Sequence, residues 1–237
     1  MKRTTLDAIN AARRDKCAVV RAVDLASGEE RLIDIASAGA SPLERAAIDA
    51  ARTDKSGSFE DSGKNWFLAV YNPPLDLAIV GAAHIAQVLS QMASLAGYGV
   101  RIIDPRTAFA TAERFPNVAI SHDWPDEALA KAPLGMRSAL VALTHDPKID
   151  DPALQTALRS SCFYIGALGS KKTHAGRLAR LKAGGFSDSE LARIHGPIGL
   201  NIGARSPAEI AISILAEMTL RLRTDGEWEH RAARTTA

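Results

Sequence analysis

Residues 75–106 read LDLAIVGAAHIAQVLSQMASLAGYGVRIIDPR, a pattern that sets the architecture of most of the chain. A buried strand, Leu77 to Val80, runs into a tight turn at Gly81. Ile85, Val88, Leu89, Met92 and Leu95 then recur at helical spacing, Gly97 ends the helix, and a second apolar strand, Val100 to Ile103, delivers Asp104 at its carboxyl end. That layout is the β-α-β unit of a Rossmann nucleotide-binding fold, whose acid sits about 20 residues beyond the glycines. The glycines themselves depart from G-x-G-x-x-G, which here is Gly81-Ala82-Ala83-His84-Ile85-Ala86. The second glycine of that pattern lets the main chain approach a pyrophosphate. Ala83 puts a methyl group there, so ordinary dinucleotide binding should be weak.

Downstream the alternation of strand and helix continues. Strands are expected at Asn117–Ser121, Ser138–Leu143 and Cys162–Ala167, and helices at Asp126–Lys131, Pro152–Ser160 and Lys171–Lys182, the last closed by Gly184-Gly185. Ser187 with Glu190 forms a capping box, and Ser206-Pro207-Ala208-Glu209 opens a helix over residues 207–223. Such alternation predicts an α/β domain, a Rossmann-like parallel sheet with helices on both faces, over residues 75–223. Residues 1–74 break the rhythm. A short basic helix, a hairpin (Cys17–Val23 and Arg31–Ile35), a helix at Ser41–Ala51 and a second hairpin (Gly57–Glu60 and Trp66–Tyr71) make a small α+β domain bounded by Pro73-Pro74. Residues 224–237 form a C-terminal tail that should fray.

The chain has 237 residues, 46% hydrophobic and 24% charged, with a net charge of +2. It can bury a core, and its nearly balanced charge offers no footprint for nucleic acid or an anionic membrane. No apolar run approaches the roughly 20 residues that span a bilayer, and the N-terminus lacks the apolar core of a signal peptide, so a cytoplasmic location is expected. Cys17 and Cys162 both lie in apolar, strand-like runs and are expected to be buried, reduced and unreactive.

Ligands of open α/β sheets bind beyond the carboxyl ends of the strands. The residues there are Gly81, Ala82, Ala83 and His84; Asp104 and Arg106; Thr144, His145 and Asp146; and Gly166, Gly169, Ser170, Lys171, Lys172 and Thr173. The segment GALGSKKT at 166–173 is not a Walker motif, because its glycine is displaced by two positions. It still offers a glycine turn, a serine and free N–H groups at a helix N-terminus, with two lysines, which is an anion site. Asp104 reads as the acceptor for a ribose hydroxyl, or as an acid ending a strand and pairing with Arg106; the first is favoured. His84 either donates to a ligand phosphate or caps its helix. Neither a metal ligand set nor a catalytic residue is assigned. A short-chain dehydrogenase carries Lys four residues after its Tyr, whereas Tyr71, Tyr98 and Tyr164 are followed at that spacing by Leu75, Ile102 and Leu168. Hydride-transfer machinery is thus missing, and binding or delivery of a nucleotide-like ligand is favoured over an NAD(P)-dependent oxidoreductase. A non-catalytic nucleotide-sensing interaction module is the third reading.

Five segments carry a family resemblance: GAAHIAQ at Gly81, IDPRTAFATAERFP at 103–116, LTHDPKIDDPAL at 143–154, FYIGALGSKKTHAGRL at 163–178 and ARIHGPIGLNIGARSPAEIAISILAE at 192–217. In that order they resemble the XdhC/CoxI family, accessory proteins for xanthine dehydrogenase and related molybdenum hydroxylases. The resemblance implies a chaperone that binds molybdenum cofactor, as molybdopterin or its dinucleotide form, assists installation of its sulfido ligand and passes it to the apo-enzyme. The partners so implied are that apo-enzyme and a cysteine desulfurase; a homodimer is the assembly considered, without a sequence feature that fixes it. Where many members have G-A-G-H this chain has Gly81-Ala82-Ala83-His84, and Asn201 replaces an acid. The cysteine of an S-G-G-C-V-E-like segment has no counterpart in Ala38-Gly39-Ala40-Ser41-Pro42-Leu43-Glu44, which marks a short subgroup with a divergent N-terminal domain.

Overall fold

In the computed structural model, residues 2–15 and 17–224 are described. The tail after Thr224, with His230, lies outside the described residues. The chain divides into two compact units between Pro74 and Leu75.

The first unit carries helix α1 (Arg3–Arg14), strands β1 (Val19–Asp24) and β2 (Glu30–Asp34), helix α2 (Pro42–Thr53), and strands β3 (Gly57–Asp61) and β4 (Lys64–Tyr71). Its sheet is antiparallel in the order β2-β1-β4-β3. Val20, Ala22, Trp66 and Leu68 alternate onto one face, where Leu43, Ala47 and Ala51 of α2 cover them. Ser41 and Glu44 close a reciprocal capping box at the start of α2. Residues 38–44 therefore lead into and open this helix.

The second unit is a six-stranded parallel sheet, β10-β9-β8-β5-β6-β7. Its strands are β5 (Leu75–Val80), β6 (Tyr98–Ile103), β7 (Ala119–Ser121), β8 (Ser138–Ala142), β9 (Tyr164–Ala167) and β10 (Ile194–His195). The helices are α3 (His84–Leu95), α4 (Pro125–Lys131), α5 (Pro147–Leu158), α6 (Lys171–Ala183), α7 (Asp188–Leu191) and α8 (Pro207–Thr224). The order is the doubly wound one, reversing between β5 and β8, where ligands of such folds bind. Leu77 and Ile79 point to one face, packed with Leu89 of α3 and Ile214 and Met218 of α8. Ala78 and Val80 point to the other, packed with Leu154 of α5 and Leu181 of α6. Burial on both faces explains the unbroken apolar runs of the central strands, each large side chain contributing about 1.5–3 kcal/mol.

Several expectations are corrected. Helix α5 begins at Pro147, not Pro152: the Asp146 carboxylate accepts from the Lys148 N–H at 2.9 Å and Pro147 takes a first-turn position, leaving Pro152 inside the helix. Both Asp-Pro pairs carry the same start signal, and the earlier one is used. Strand β10, two residues long, had not been expected. Cys17 is exposed, because β1 starts only at Val19, whereas Cys162 is buried, just ahead of β9. Among the described residues no helix is long and apolar enough to cross a membrane.

Candidate functional site

The switch point is built from close approach. Gly81 has φ +103, and a Cβ on it would lie 2.5 Å from Thr144 Cγ2 and 3.1 Å from the Thr144 nitrogen. Only glycine lets the turn after β5 pass against the end of β8. Thr144 is held in turn: its hydroxyl donates to Asp150 Oδ1 at 2.6 Å and accepts from the Asp146 N–H at 3.0 Å. Between them His145 adopts φ +64 and is exposed. A non-glycine residue held in the left-handed region stores about 1–3 kcal/mol, which the surrounding turn must hold in place.

Asp104 ends β6 fully buried. Its Oδ2 accepts from the Ala82 N–H at 2.8 Å and from Arg106 Nη2 at 2.8 Å; its Oδ1 accepts from the Arg106 N–H at 3.0 Å and Nε at 2.8 Å. Burial pushes this carboxyl up, but these donors outweigh it and hold it below the ordinary value. Arg106 is raised, chiefly by the same bond. Of the two readings of Asp104, the geometry realises the pairing with Arg106 and adds a brace to the Gly81 turn.

Helix α3 starts at His84 after Ala83, and no side chain caps it, so its first N–H groups have no side-chain acceptor. His84 is exposed and is not the cap. At the end of β9, Gly169 takes φ +141 and Ser170 caps α6 by accepting from the Thr173 N–H at 3.1 Å, while Lys171 and Lys172 are exposed beside the helix N-terminus. Gly166 has a packing role: a Cβ there would lie 2.4 Å from Ile198 Cδ1. The structure thus gives two bonded sets, Ala82 with Asp104 and Arg106, and Thr144 with Asp146 and Asp150, which meet where Gly81 passes against Thr144, with His145 in the second turn. Leu168, which leads into Gly169, joins the end of β8 through its N–H to the Ala142 carbonyl at 2.8 Å.

A profile of the XdhC Rossmann domain matches residues 77–218. The chain belongs to the XdhC family. It is 33% identical over 154 residues to the molybdenum cofactor insertion chaperone PaoD of Escherichia coli, 65% of this chain and 42% of that protein. With a probable xanthine dehydrogenase subunit from Bacillus subtilis it shares 31% over 159 residues, 67% of this chain and 46% of that protein. With YqeB of Escherichia coli, described as uncharacterized, it shares 29% over 177 residues, 74% of this chain and 32% of that protein. The chain therefore spans less than half the length of these relatives. A crystal structure from Bacillus halodurans described as a xanthine dehydrogenase has the same fold, with a TM-score of 0.69 at 23% identity, covering 96% of this chain and 69% of that one.

Two buried polar groups of this XdhC domain were not read from the sequence. Arg177 and Asp150, both almost fully buried, face each other at 3.7 Å, and Arg177 Nη2 donates to the Leu168 carbonyl at 2.8 Å, just ahead of the Gly169 turn. Burial pushes Asp150 up and Arg177 down. Glu217 of α8 accepts from the Tyr164 hydroxyl at 2.5 Å and the Gly199 N–H at 2.8 Å, and lies 3.4 Å from His195 Nδ1, while His195 stacks on Tyr164. One signal for Glu217 was available: with Ile210, Ile214 and Met218 it lies on the apolar face of its helix.

Proposed function

We propose that this chain binds molybdenum cofactor at the carboxyl ends of β5, β6, β8 and β9 and delivers it to a molybdenum hydroxylase apo-enzyme. The observation that carries the reading is family membership together with the match to a named cofactor insertion chaperone over 65% of the chain. The geometry supports it on physical grounds. The cofactor ends in a phosphate, and two helix N-termini offer N–H groups there: α3, uncapped by any side chain, and α6, flanked by Lys171 and Lys172. Gly81 to His84 and Gly169 to Thr173 would hold that phosphate, with His145 and Arg106 as polar walls.

The donor set fits the phosphate end better than a sulfur-binding role. Cys162 is buried and its thiol is pushed up by that burial, so little thiolate forms. The cofactor supplies its redox chemistry in the client enzyme; the chain's own task is to hold the ligand out of water and release it. Transfer of sulfur from a cysteine desulfurase, a homodimeric assembly and a cytoplasmic location belong to the same proposal. The test is genetic and biochemical. Cells lacking this chain should accumulate their xanthine dehydrogenase-like enzyme without molybdenum, and the purified loaded chain should restore its activity. Full molybdenum occupancy in the deletion strain would overturn the reading.

A further inference from the structure

A Rossmann site offers the acid at the end of its second strand to the hydroxyls of a ribose. Asp104 occupies that position with nothing left to offer. It is fully buried, and each oxygen already accepts from two donors: Oδ1 from the Arg106 N–H and Nε, Oδ2 from the Ala82 N–H and Arg106 Nη2. A carboxylate has about four lone-pair sites, so a diol could bind only by displacing one of these donors. Losing the Ala82 bond would remove one of the braces on the Gly81 turn.

Arg106 is the opposite case. A guanidinium carries five N–H donors. Asp104 grips it along the Nε and Nη2 edge, which leaves the Nη1 and Nη2 end of the fork, on a side chain that is 39% exposed. The Phe109 ring, 4.7 Å from the guanidinium carbon, holds the plane of the fork. Asp146 and Asp150 act on Arg106 through space. Both carboxylates are engaged elsewhere, Asp146 on the Lys148 N–H and Asp150 on the Thr144 hydroxyl. A free, rigidly held guanidinium end matches two oxygens of a phosphate.

We propose that the β6 end of the cleft selects a phosphoryl group against an unmodified ribose diol, with Arg106 as the residue that reads it. This rests on the reading that the strand ends bind the ligand, and it narrows that ligand to one with a phosphate ester at this position.

The experiment is a pair of equilibrium titrations of the full chain, with NADPH and with NADH, which differ by one phosphate on the ribose that this strand end would meet. Wild type should bind NADPH at least about tenfold more tightly. Arg106→Gln should abolish the difference, and Arg106→Lys, which keeps the charge but not the fork, should keep only part of it. Should Arg106→Gln fail to fold, the wild-type pair and Arg106→Lys carry the test. Equal affinities, a preference for NADH, or no binding of NADPH up to about 10 mM would overturn the proposal, since even a weak specific site falls within the millimolar range. Pterin content of the purified chain separates the two readings. NADPH preference without bound pterin would leave Arg106 as a phosphate reader and remove the chaperone assignment, and bound pterin without the preference would do the reverse.

Discussion

The Tyr164 hydroxyl on β9 donates to Glu217 on α8 at 2.5 Å, tying the sheet to the last helix through a buried carboxylate that also accepts from the Gly199 N–H. Glu217→Ala would leave both donors buried without an acceptor, at about 1–3 kcal/mol each. Urea denaturation should show a loss of roughly 3 kcal/mol, with a smaller loss for Glu217→Gln, which keeps an acceptor oxygen. A loss under about 1 kcal/mol in the alanine variant would mean water replaces the carboxylate at little cost.

Acid should weaken the same joint. Burial pushes Glu217 up, but the His195, Tyr164 and Gly199 donors outweigh it, so its folded pKa lies below the ordinary value, as does that of Asp104. A depressed carboxylate stabilises fully above the unfolded value near 4, and that contribution is lost as pH falls through the folded pKa. Stability measured from about pH 5 down to pH 2 should therefore drop, and Glu217→Gln should flatten the drop. An unchanged slope in that variant would show that Glu217 does not contribute to it.

Gly81→Ala should cost about 3 kcal/mol, combining a φ of +103 with a Cβ 2.5 Å from Thr144 Cγ2. For a chain of this size that is roughly 10 °C in Tm. A thermal melt within about 2 °C of wild type would mean the turn can rearrange around a methyl group.

His145 holds φ +64. His145→Gly relieves the strain while adding freedom to the unfolded chain, so the net change should be a gain of about 0.5 kcal/mol. If the residue lines the ligand site, cofactor binding should fall in the same variant. Gain of stability with full binding would mark the strain as incidental.

The two thiols should separate cleanly. Cys17 is exposed and should react with an aromatic disulfide within seconds, whereas Cys162 is buried and its thiol pushed up. One thiol should therefore label in the native protein and two after unfolding. Two fast equivalents would contradict the burial of Cys162.

What was legible follows the range of each interaction. Strands β5 and β6 and helix α3 were readable because their periodicity and their punctuation at Gly81 and Gly97 are local. The start of α5 was missed because Asp146-Pro147 and Asp151-Pro152 send the same signal, and only the packed structure selects one. β10 has two residues and no period to detect. The apolar neighbourhood of Cys17 reads as strand, yet β1 begins two residues later. The Asp104 and Arg106 spacing allowed two roles, and the choice depended on the Ala82 N–H, 22 residues away. Pairs such as Tyr164 with Glu217, 53 residues apart, leave no local pattern at all.

In the proposed function the strand ends bind molybdenum cofactor through its phosphate. The decisive measurement is the pterin and molybdenum content of the chain purified from cells with an active cofactor pathway, compared with a Lys171→Ala, Lys172→Ala double variant. Both lysines are exposed, so the double variant should fold with stability within about 0.5 kcal/mol of wild type per site. The wild-type chain should carry about one pterin and one molybdenum, and the folded double variant should lose at least about tenfold in cofactor affinity, two charge-assisted phosphate contacts having gone. Wild-type chain free of pterin and molybdenum, or a folded double variant that keeps both, would contradict it.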